Sequence, residues 1–161
     1  SRWQRYLAPR GPAGLLRLVA VAVIAYLIFS HVLIPVRIHG ASMLPTYPAR
    51  GWNFCWRLRF HSEPPRTGDV VIIRLAGTKV MYLKRVVAVG GDTVEFRAGR
   101  LFINDEPAVE PYVSFSCDWV LEARTVKLQH VYVIGDNRSM PIEAHVFGET
   151  PVTRIAGGPL W

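Results

Sequence analysis

The chain has 161 residues, enough for one domain of ordinary size or for a small domain with an appendage. Half of its residues are hydrophobic and 19% are charged, which excludes a disordered chain and a collagen-like repeat. The formal net charge of +7 suggests a nucleic acid or an anionic membrane as a partner. Most of that excess equals the charge of five arginines near the N-terminus, all of them before the first acidic residue, Glu63: Arg2, Arg5, Arg10, Arg17 and Arg37. Because little positive charge remains for a basic stripe on the folded body, we expect a membrane topology and no nucleic-acid partner.

The first predicted element is a membrane-spanning helix over residues 18–36. This run has 19 residues without a formal charge. At about 1.5 Å per residue it covers roughly 28 Å, close to the thickness of the hydrocarbon core of a bilayer. The basic segment 1–17 is expected to stay in the cytoplasm by the positive-inside rule, which places residues 37–161 outside. The sequence thus predicts a single-pass protein of the cytoplasmic membrane, with the helix ending at Pro35.

Two other interpretations of this apolar segment are a buried core helix and a removable secretory signal. A core helix on a domain this small needs a polar face, which the segment lacks. The run is also longer than the apolar region of a typical signal, and no A-x-A cleavage site follows promptly. We therefore expect an uncleaved anchor in the lipid bilayer.

After the anchor, the hydrophobic pattern changes from helical to alternating. Runs of β-branched and aromatic residues, separated by glycine and aspartate turns, predict strands. These strands are expected over residues 70–75, 80–89, 93–96, 101–103, 131–134 and 152–155. Residues 105–129 are the least regular and are expected to form a small cap. The predicted fold class is mainly β, with one N-terminal transmembrane helix followed by an antiparallel sheet or barrel-like catalytic body over 37–161.

The two cysteines, Cys55 and Cys117, fit two interpretations. An extracytoplasmic body could join them in a disulfide, and two independent half-buried thiols are the alternative. No CxxC or HxxxH spacing is present, so we expect no metal site and no cofactor.

A candidate nucleophile, Ser42, lies in a turn of small residues just past the membrane exit. Pro45 prevents a strand from continuing there. A serine on such a turn can act as a nucleophile if a base is near. No Asp–His pair suits that role, so the lysines of the body, Lys79, Lys84 and Lys127, are the remaining candidates.

Lys84 is the lysine that best fits a base. It lies in the most apolar predicted strand, where alternation places it on one face with Tyr82, Val86 and Ala88. Burial on such a face lowers the pKa of a lysine from its usual value of about 10.4, so that a neutral amine can take the proton of Ser42. An ordinary turn serine, and a strand lysine that extends its charge to water, are the alternative.

Four segments of the chain carry a family resemblance when taken in order. They surround Ser42, open the strand after Gly68, surround Lys84 and follow the strand over 131–134. They are residues 40–46 (GASMLPT), 68–71 (GDVV), 82–94 (YLKRVVAVGGDTV) and 135–138 (GDNR), the last followed by Phe147-Gly148. Together with the preceding apolar segment, they resemble the type I signal peptidases, a family of membrane-anchored Ser–Lys serine endopeptidases.

The resemblance implies that Ser42 is the acylating nucleophile and Lys84 its general base. In the family, the backbone N–H of the nucleophile helps to form the oxyanion hole. A serine hydroxyl two positions earlier contributes in some members, and this chain has Gly40 there. The cleaved chain of the family lies extended beside the strands that carry the nucleophile and the base. The resemblance therefore implies a pocket for small residues whose walls include Ile38, Met81 and Tyr82.

The chain departs from the family after residues 135–138. Aligned without a gap, Pro141 replaces the serine that supports the lysine, Glu143 an aspartate, and His145 an arginine. We expect Glu143 to keep the acidic role and Ser139 to supply a hydroxyl, with ordinary turn residues as the alternative. The residues Asp136, Asn137 and Arg138 are expected to fix a turn near the dyad.

The resemblance implies a protease that removes signal peptides from exported preproteins after a small-x-small site. One alternative is a maturation protease dedicated to a pilin or to another exported substrate. A membrane-anchored subunit that is inactive or depends on accessory membrane subunits is the other. An inactive subunit is expected to lose Ser42 or Lys84, and both are present.

Overall fold

The apolar segment forms a helix that leads directly into the first strand. The structure, a computed structural model, describes residues 12–74, 81–144 and 148–161. Helix α1 (Pro12–Leu27) continues into a π-helical turn, Ile28–Val32. Together they form 21 residues of mean hydropathy 2.2, none of them buried, which by length and composition can span a membrane.

The helix ends earlier than expected. Residues 33–36 of the predicted span 18–36 belong to strand β1, and the helix begins before residue 18. The cause is tertiary pairing, because from Leu33 onward the backbone pairs with a strand that ends at Trp56. Hydropathy alone cannot distinguish a helix from a strand in a continuous apolar run. Residues 1–11 of the predicted cytoplasmic segment lie outside the described residues.

The body of the protein consists of antiparallel strands in two sheets. The strands are β1 (Leu33–His39), β2 (Arg50–Trp56), β3 (Val70–Arg74), β4 (Met81–Val89), β5 (Thr93–Arg97), β6 (Arg100–Ile103), β7 (Glu106–Pro107), β8 (Leu121–Thr125), β9 (His130–Ile134), β10 (Gly148–Pro151) and β11 (Ile155–Pro159). The larger sheet has the order β1-β2-β11-β3-β4-β9-β10, and the smaller one the order β7-β6-β5-β8. A mainly β fold with one N-terminal helix is confirmed.

Strand β4 contributes to two apolar clusters. One joins β4 to β3 and β9 through Val71, Ile73, Val86, Val131 and Val133. The other, which includes Ala88, Phe96, Leu101, Trp119 and Tyr132, connects β4 to the smaller sheet. The pairing of β4 with β9 shifts between Val86 and Ala88. Because of this bulge, Val86 and Ala88 pack in different clusters, on opposite faces of β4. The expectation that Ala88 shares the face of Lys84 and Val86 is therefore wrong.

The predicted strands over 70–75, 93–96, 101–103 and 131–134 match β3, β5, β6 and β9 within one or two residues. The strand expected over 152–155 is wrong, since a 3₁₀ turn, Val152–Arg154, precedes β11. Within residues 105–129, β7 and β8 join the smaller sheet, and residues 108–120 between them form the segment that we call the cap segment. Cys55 in β2 and Cys117 in the cap segment are both free thiols.

Candidate active site

Ser42 lies in a turn that begins immediately after β1 and is held by Asn137. The backbone N–H of Asn137 donates to the carbonyl of Ser42 at 3.0 Å. Its side-chain amide donates to the carbonyl of Ala41 at 3.0 Å. Asn137 is itself buried. The turn that carries Ser42 is therefore fixed to the loop after β9.

Gly40 begins this turn with a backbone φ of +110°. Glycine adopts this left-handed region without the steric penalty that a Cβ brings. A serine at position 40 would be strained in this backbone conformation. The expected contribution of position 40 to an oxyanion hole is thus limited to its backbone.

Lys84 is a buried lysine in the centre of β4. Its side chain is only 3% exposed, and the residue pairs with Val71 on β3. Burial penalises the ammonium form and lowers the pKa of Lys84 from 10.5 to about 8, while the charge of Asp136 acts in the opposite direction. At pH 7 a pKa of about 8 leaves roughly one Lys84 in ten as a neutral amine able to accept a proton, far more than for a lysine of ordinary pKa.

Asp136 connects the turn of Ser42 to the strand of Lys84. Its fully buried carboxylate accepts two hydrogen bonds from Arg85, at 2.8 Å from Nε and 2.7 Å from Nη2. The hydroxyl of Thr46 donates to the same carboxylate at 2.5 Å. Because Thr46 follows Ser42 in its turn and Arg85 follows Lys84 in β4, one carboxylate holds both segments together.

A groove of about 460 Å³ passes beside Ser42. Its walls are β1 on one side and the beginning of β4 on the other. The three residues expected to form a substrate pocket, Ile38, Met81 and Tyr82, line it together with Ser42. No hydrogen bond joins the Ser42 hydroxyl to the Lys84 amine in this structure. Catalytic hydrogen bonds are often long in ligand-free enzymes and shorten once substrate is bound.

Two backbone edges face this groove. β1 is the outermost strand of the larger sheet. β4 pairs with β9 from Arg85 onward, so among the described strands Met81 to Leu83 pair with β3 alone. Unpaired strand edges present N–H and C=O groups to an extended peptide, which can add to a sheet in this way. The groove therefore has the shape and the backbone donors and acceptors for an extended chain.

Neither of the two residues expected to support the lysine, Ser139 and Glu143, forms a hydrogen bond or an ion pair with Lys84 in the structure. The hydroxyl of Ser139 donates to the side-chain oxygen of Asn137 at 2.7 Å. Glu143 is exposed on a short 3₁₀ turn and forms no ion pair with any described residue. The charged group that acts on Lys84 is Asp136 instead. His145 and Phe147 lie outside the described residues.

Arg138 is a buried charge that is paired across the molecule with the cap segment. It is 2% exposed, and its guanidinium donates to both carboxylate oxygens of Glu110 at 3.1 Å and 2.5 Å. Sequence reasoning placed Arg138 near the site but missed Glu110, because no local pattern marks a carboxylate in an irregular segment. It also missed Thr46 and Arg85, although both are adjacent to predicted site residues.

Comparison with known proteins places the chain in a family. The model of the family described as "Signal peptidase, peptidase S26" matches residues 13–159. The chain belongs to this signal peptidase family. A probable signal peptidase I-1 of Synechocystis is 30% identical over 152 residues, which are 89% of this chain and 78% of the relative. These matches span both the apolar helix and the groove.

Other relatives in the signal peptidase family are considerably longer. Signal peptidase I of Leptolyngbya laminosa is 29% identical over 128 residues, covering 74% of this chain and 63% of the relative. The probable thylakoidal processing peptidase 2 of Arabidopsis thaliana is 31% identical over 131 residues, which are 76% of this chain but 36% of the relative. The chain thus spans between about a third and two thirds of the length of these two relatives.

Proposed function

We propose that this chain is a membrane-bound serine endopeptidase that removes N-terminal signal peptides from exported proteins. The observation that carries the proposal is the groove between β1 and β4, which has Ser42 on its wall. Its base would be Lys84, a buried lysine on the same strand as two lining residues, Met81 and Tyr82. The names of the relatives support the same substrate class.

In the proposed mechanism, the neutral amine of Lys84 takes the proton of Ser42 as the serine oxygen attacks the scissile carbonyl. The backbone N–H of Ser42 donates to the oxyanion that develops on that carbonyl. The Lys84 ammonium then gives its proton to the leaving amine, and the signal peptide remains as an ester on Ser42. Water, deprotonated by Lys84, hydrolyses the ester and restores both residues.

The lining of the groove also supports a preference for small residues around the cleavage site. Ile38, Met81 and Tyr82 narrow the space beside Ser42. In an extended substrate, alternate side chains point to the same face. The residues one and three positions before the cleaved bond would then both face these walls, which gives the small-x-small pattern.

Substrate selectivity tests this function directly. We expect the purified full chain in detergent to cleave a model preprotein with alanine at both small positions. Replacing either alanine by leucine should reduce kcat/KM by about 5- to 150-fold, since overpacking a formed pocket costs about 1–3 kcal/mol. A matched control carries leucine at the position between them and should be cut normally. Equal cleavage of all substrates would contradict the proposed pocket, and a folded chain that cuts none would favour a dedicated substrate or a required partner.

We further propose that α1 and the π-helical turn anchor the chain in the cytoplasmic membrane, with the β body outside. The exposed apolar surface of Pro12–Val32 and the arginines of the segment 1–17 support this orientation. Protease added outside sealed, right-side-out vesicles should digest the body and leave a membrane-protected fragment. A cytoplasmic marker protein serves as the control for sealing. Protection of the body in sealed vesicles, with digestion after detergent, would reverse the orientation.

A further inference from the structure

A series of stacked and hydrogen-bonded side chains connects the cap segment to β4. The guanidinium carbon of Arg85 lies 3.9 Å from the centre of the Tyr112 ring. The Tyr112 hydroxyl donates to Glu110 at 2.9 Å. Glu110 is held in turn by the buried Arg138, whose Nε also donates to the carbonyl of Gly135 at 2.9 Å. The hydroxyl end of the Tyr112 ring is therefore held in place by Glu110.

Every donor nitrogen of Arg85 is also engaged. Nε and Nη2 donate to the two oxygens of Asp136, and Nη1 donates to the carbonyl of Gly68 at 2.8 Å. With Tyr112 covering the guanidinium face, Arg85 has one preferred position, directly on Asp136. The negative charge of Asp136, which acts on Lys84, is thus compensated by Arg85, the residue that follows Lys84 in β4.

This compensation matters for catalysis because an uncompensated carboxylate favours the ammonium form of a neighbouring lysine. In the proposed mechanism the ammonium form of Lys84 cannot accept the proton of Ser42. Anything that loosens Arg85 from Asp136 therefore raises the pKa of Lys84 and leaves less of it in the neutral, proton-accepting form at a given pH.

We propose that Tyr112, oriented by Glu110, is a positioning residue that holds Arg85 on Asp136 and so keeps Lys84 in its neutral, proton-accepting form. This inference rests on the proposed Ser42–Lys84 mechanism. It assigns the cap segment a role in the chemistry, although its residues do not line the groove beside Ser42.

Few groups around this network can change charge in the working pH range. Among the described residues, the charge of Asp136 acts on Lys84, and Arg85 is influenced by Asp136 after β9, Tyr112 in the cap segment and Tyr47 in the turn after β1. Burial raises the pKa of Tyr112, and the Glu110 carboxylate raises it further. Burial also raises the pKa of Tyr47. Both phenols stay protonated where Lys84 titrates, so a change in the pH profile near 8 reports on Lys84.

The pH dependence of cleavage tests the inference. Because only the neutral amine is active, kcat/KM of the wild type should rise with pH through about 8. Tyr112→Ala removes the ring that covers Arg85, should loosen its pairing with Asp136, and should move this rise to higher pH by about one unit, a typical effect of a nearby opposite charge. Tyr112→Phe keeps the ring over Arg85 and should give a smaller shift in the same direction. The matched control is Phe115→Ala, which removes a 41% exposed ring from the same segment and should give no shift.

A direct titration of Lys84 provides a measurement that does not need activity. The chain contains only three lysines, so a sample with ¹³Cε-labelled lysine gives a simple NMR spectrum, assigned with Lys84→Arg. The midpoint of the Lys84 resonance should move upward in Tyr112→Ala together with the kinetic profile. An unmoved midpoint in a folded Tyr112→Ala protein would overturn the role of Tyr112 and leave the dyad standing. Undiminished cleavage by Lys84→Met would instead refute the dyad itself.

Discussion

Replacing Ser42 by alanine, or Lys84 by methionine, is expected to reduce kcat/KM for a preprotein by about 10⁴-fold or more, the range seen when a nucleophile or its base is removed from a serine protease. Without the Ser42 oxygen no acyl-enzyme can form. Without the Lys84 amine the hydroxyl keeps its proton, and the leaving amine has no proton donor. The double variant should be no slower than either single variant, because the two residues act as one unit.

Matched controls separate the loss of chemistry from the loss of structure. Lys127→Met removes a lysine whose side chain is 76% exposed, and Ser114→Ala removes an exposed serine of the cap segment. Both should cleave at the wild-type rate. The unfolding midpoint of Lys84→Met should be no lower than that of the wild type, because a buried ammonium opposes folding. Full activity in a folded Lys84→Met protein would rule out Lys84 as the base.

The strands that sequence patterns located are those defined by local signals. Strands β3, β5 and β6 are rich in β-branched, aromatic and other apolar residues and are bounded by glycine, aspartate and asparagine turns, so the chemistry of a few neighbouring residues suffices to find them. Strand β1 shares one apolar run with the helix, and its start at Leu33 depends on pairing with β2, which is remote in sequence. Strand β2 itself contains Gly51 and Asn53, which weaken the strand signal.

The candidate site shows the same division between local and tertiary information. Ser42 and Lys84 were located by a turn and by an apolar strand, together with the family resemblance. The ungapped alignment with the family predicts Glu143 as the acidic residue that supports Lys84. In the structure, the carboxylate that acts on Lys84 is that of Asp136. Glu110 and Tyr112 reach the site only because the cap segment folds back over β4, which no local pattern encodes.

The second large effect concerns the stability of the body rather than its chemistry. Asp136→Ala is expected to lower the free energy of unfolding by about 3–5 kcal/mol, the usual cost of removing one partner from a buried ion pair. The change leaves Arg85, whose side chain is 11% exposed, without its carboxylate. It also removes the acceptor for Thr46, and with it the link between the turn of Ser42 and β4.

Chemical unfolding in detergent measures this effect, with two further variants as controls. Glu63→Gln breaks the ion pair with Arg66, in which both side chains are more than two thirds exposed, and should leave the unfolding midpoint close to that of the wild type. Adding Arg85→Met to Asp136→Ala should recover part of the lost stability, because the unpaired charge disappears with its partner. If Asp136→Ala destabilised the protein no more than Glu63→Gln, the buried pair of Asp136 and Arg85 would not be what holds the turn of Ser42 against β4. If the double variant were no more stable than Asp136→Ala, the lost stability would come from the missing hydrogen bond of Thr46 in the turn of Ser42, and not from the unpaired guanidinium of Arg85.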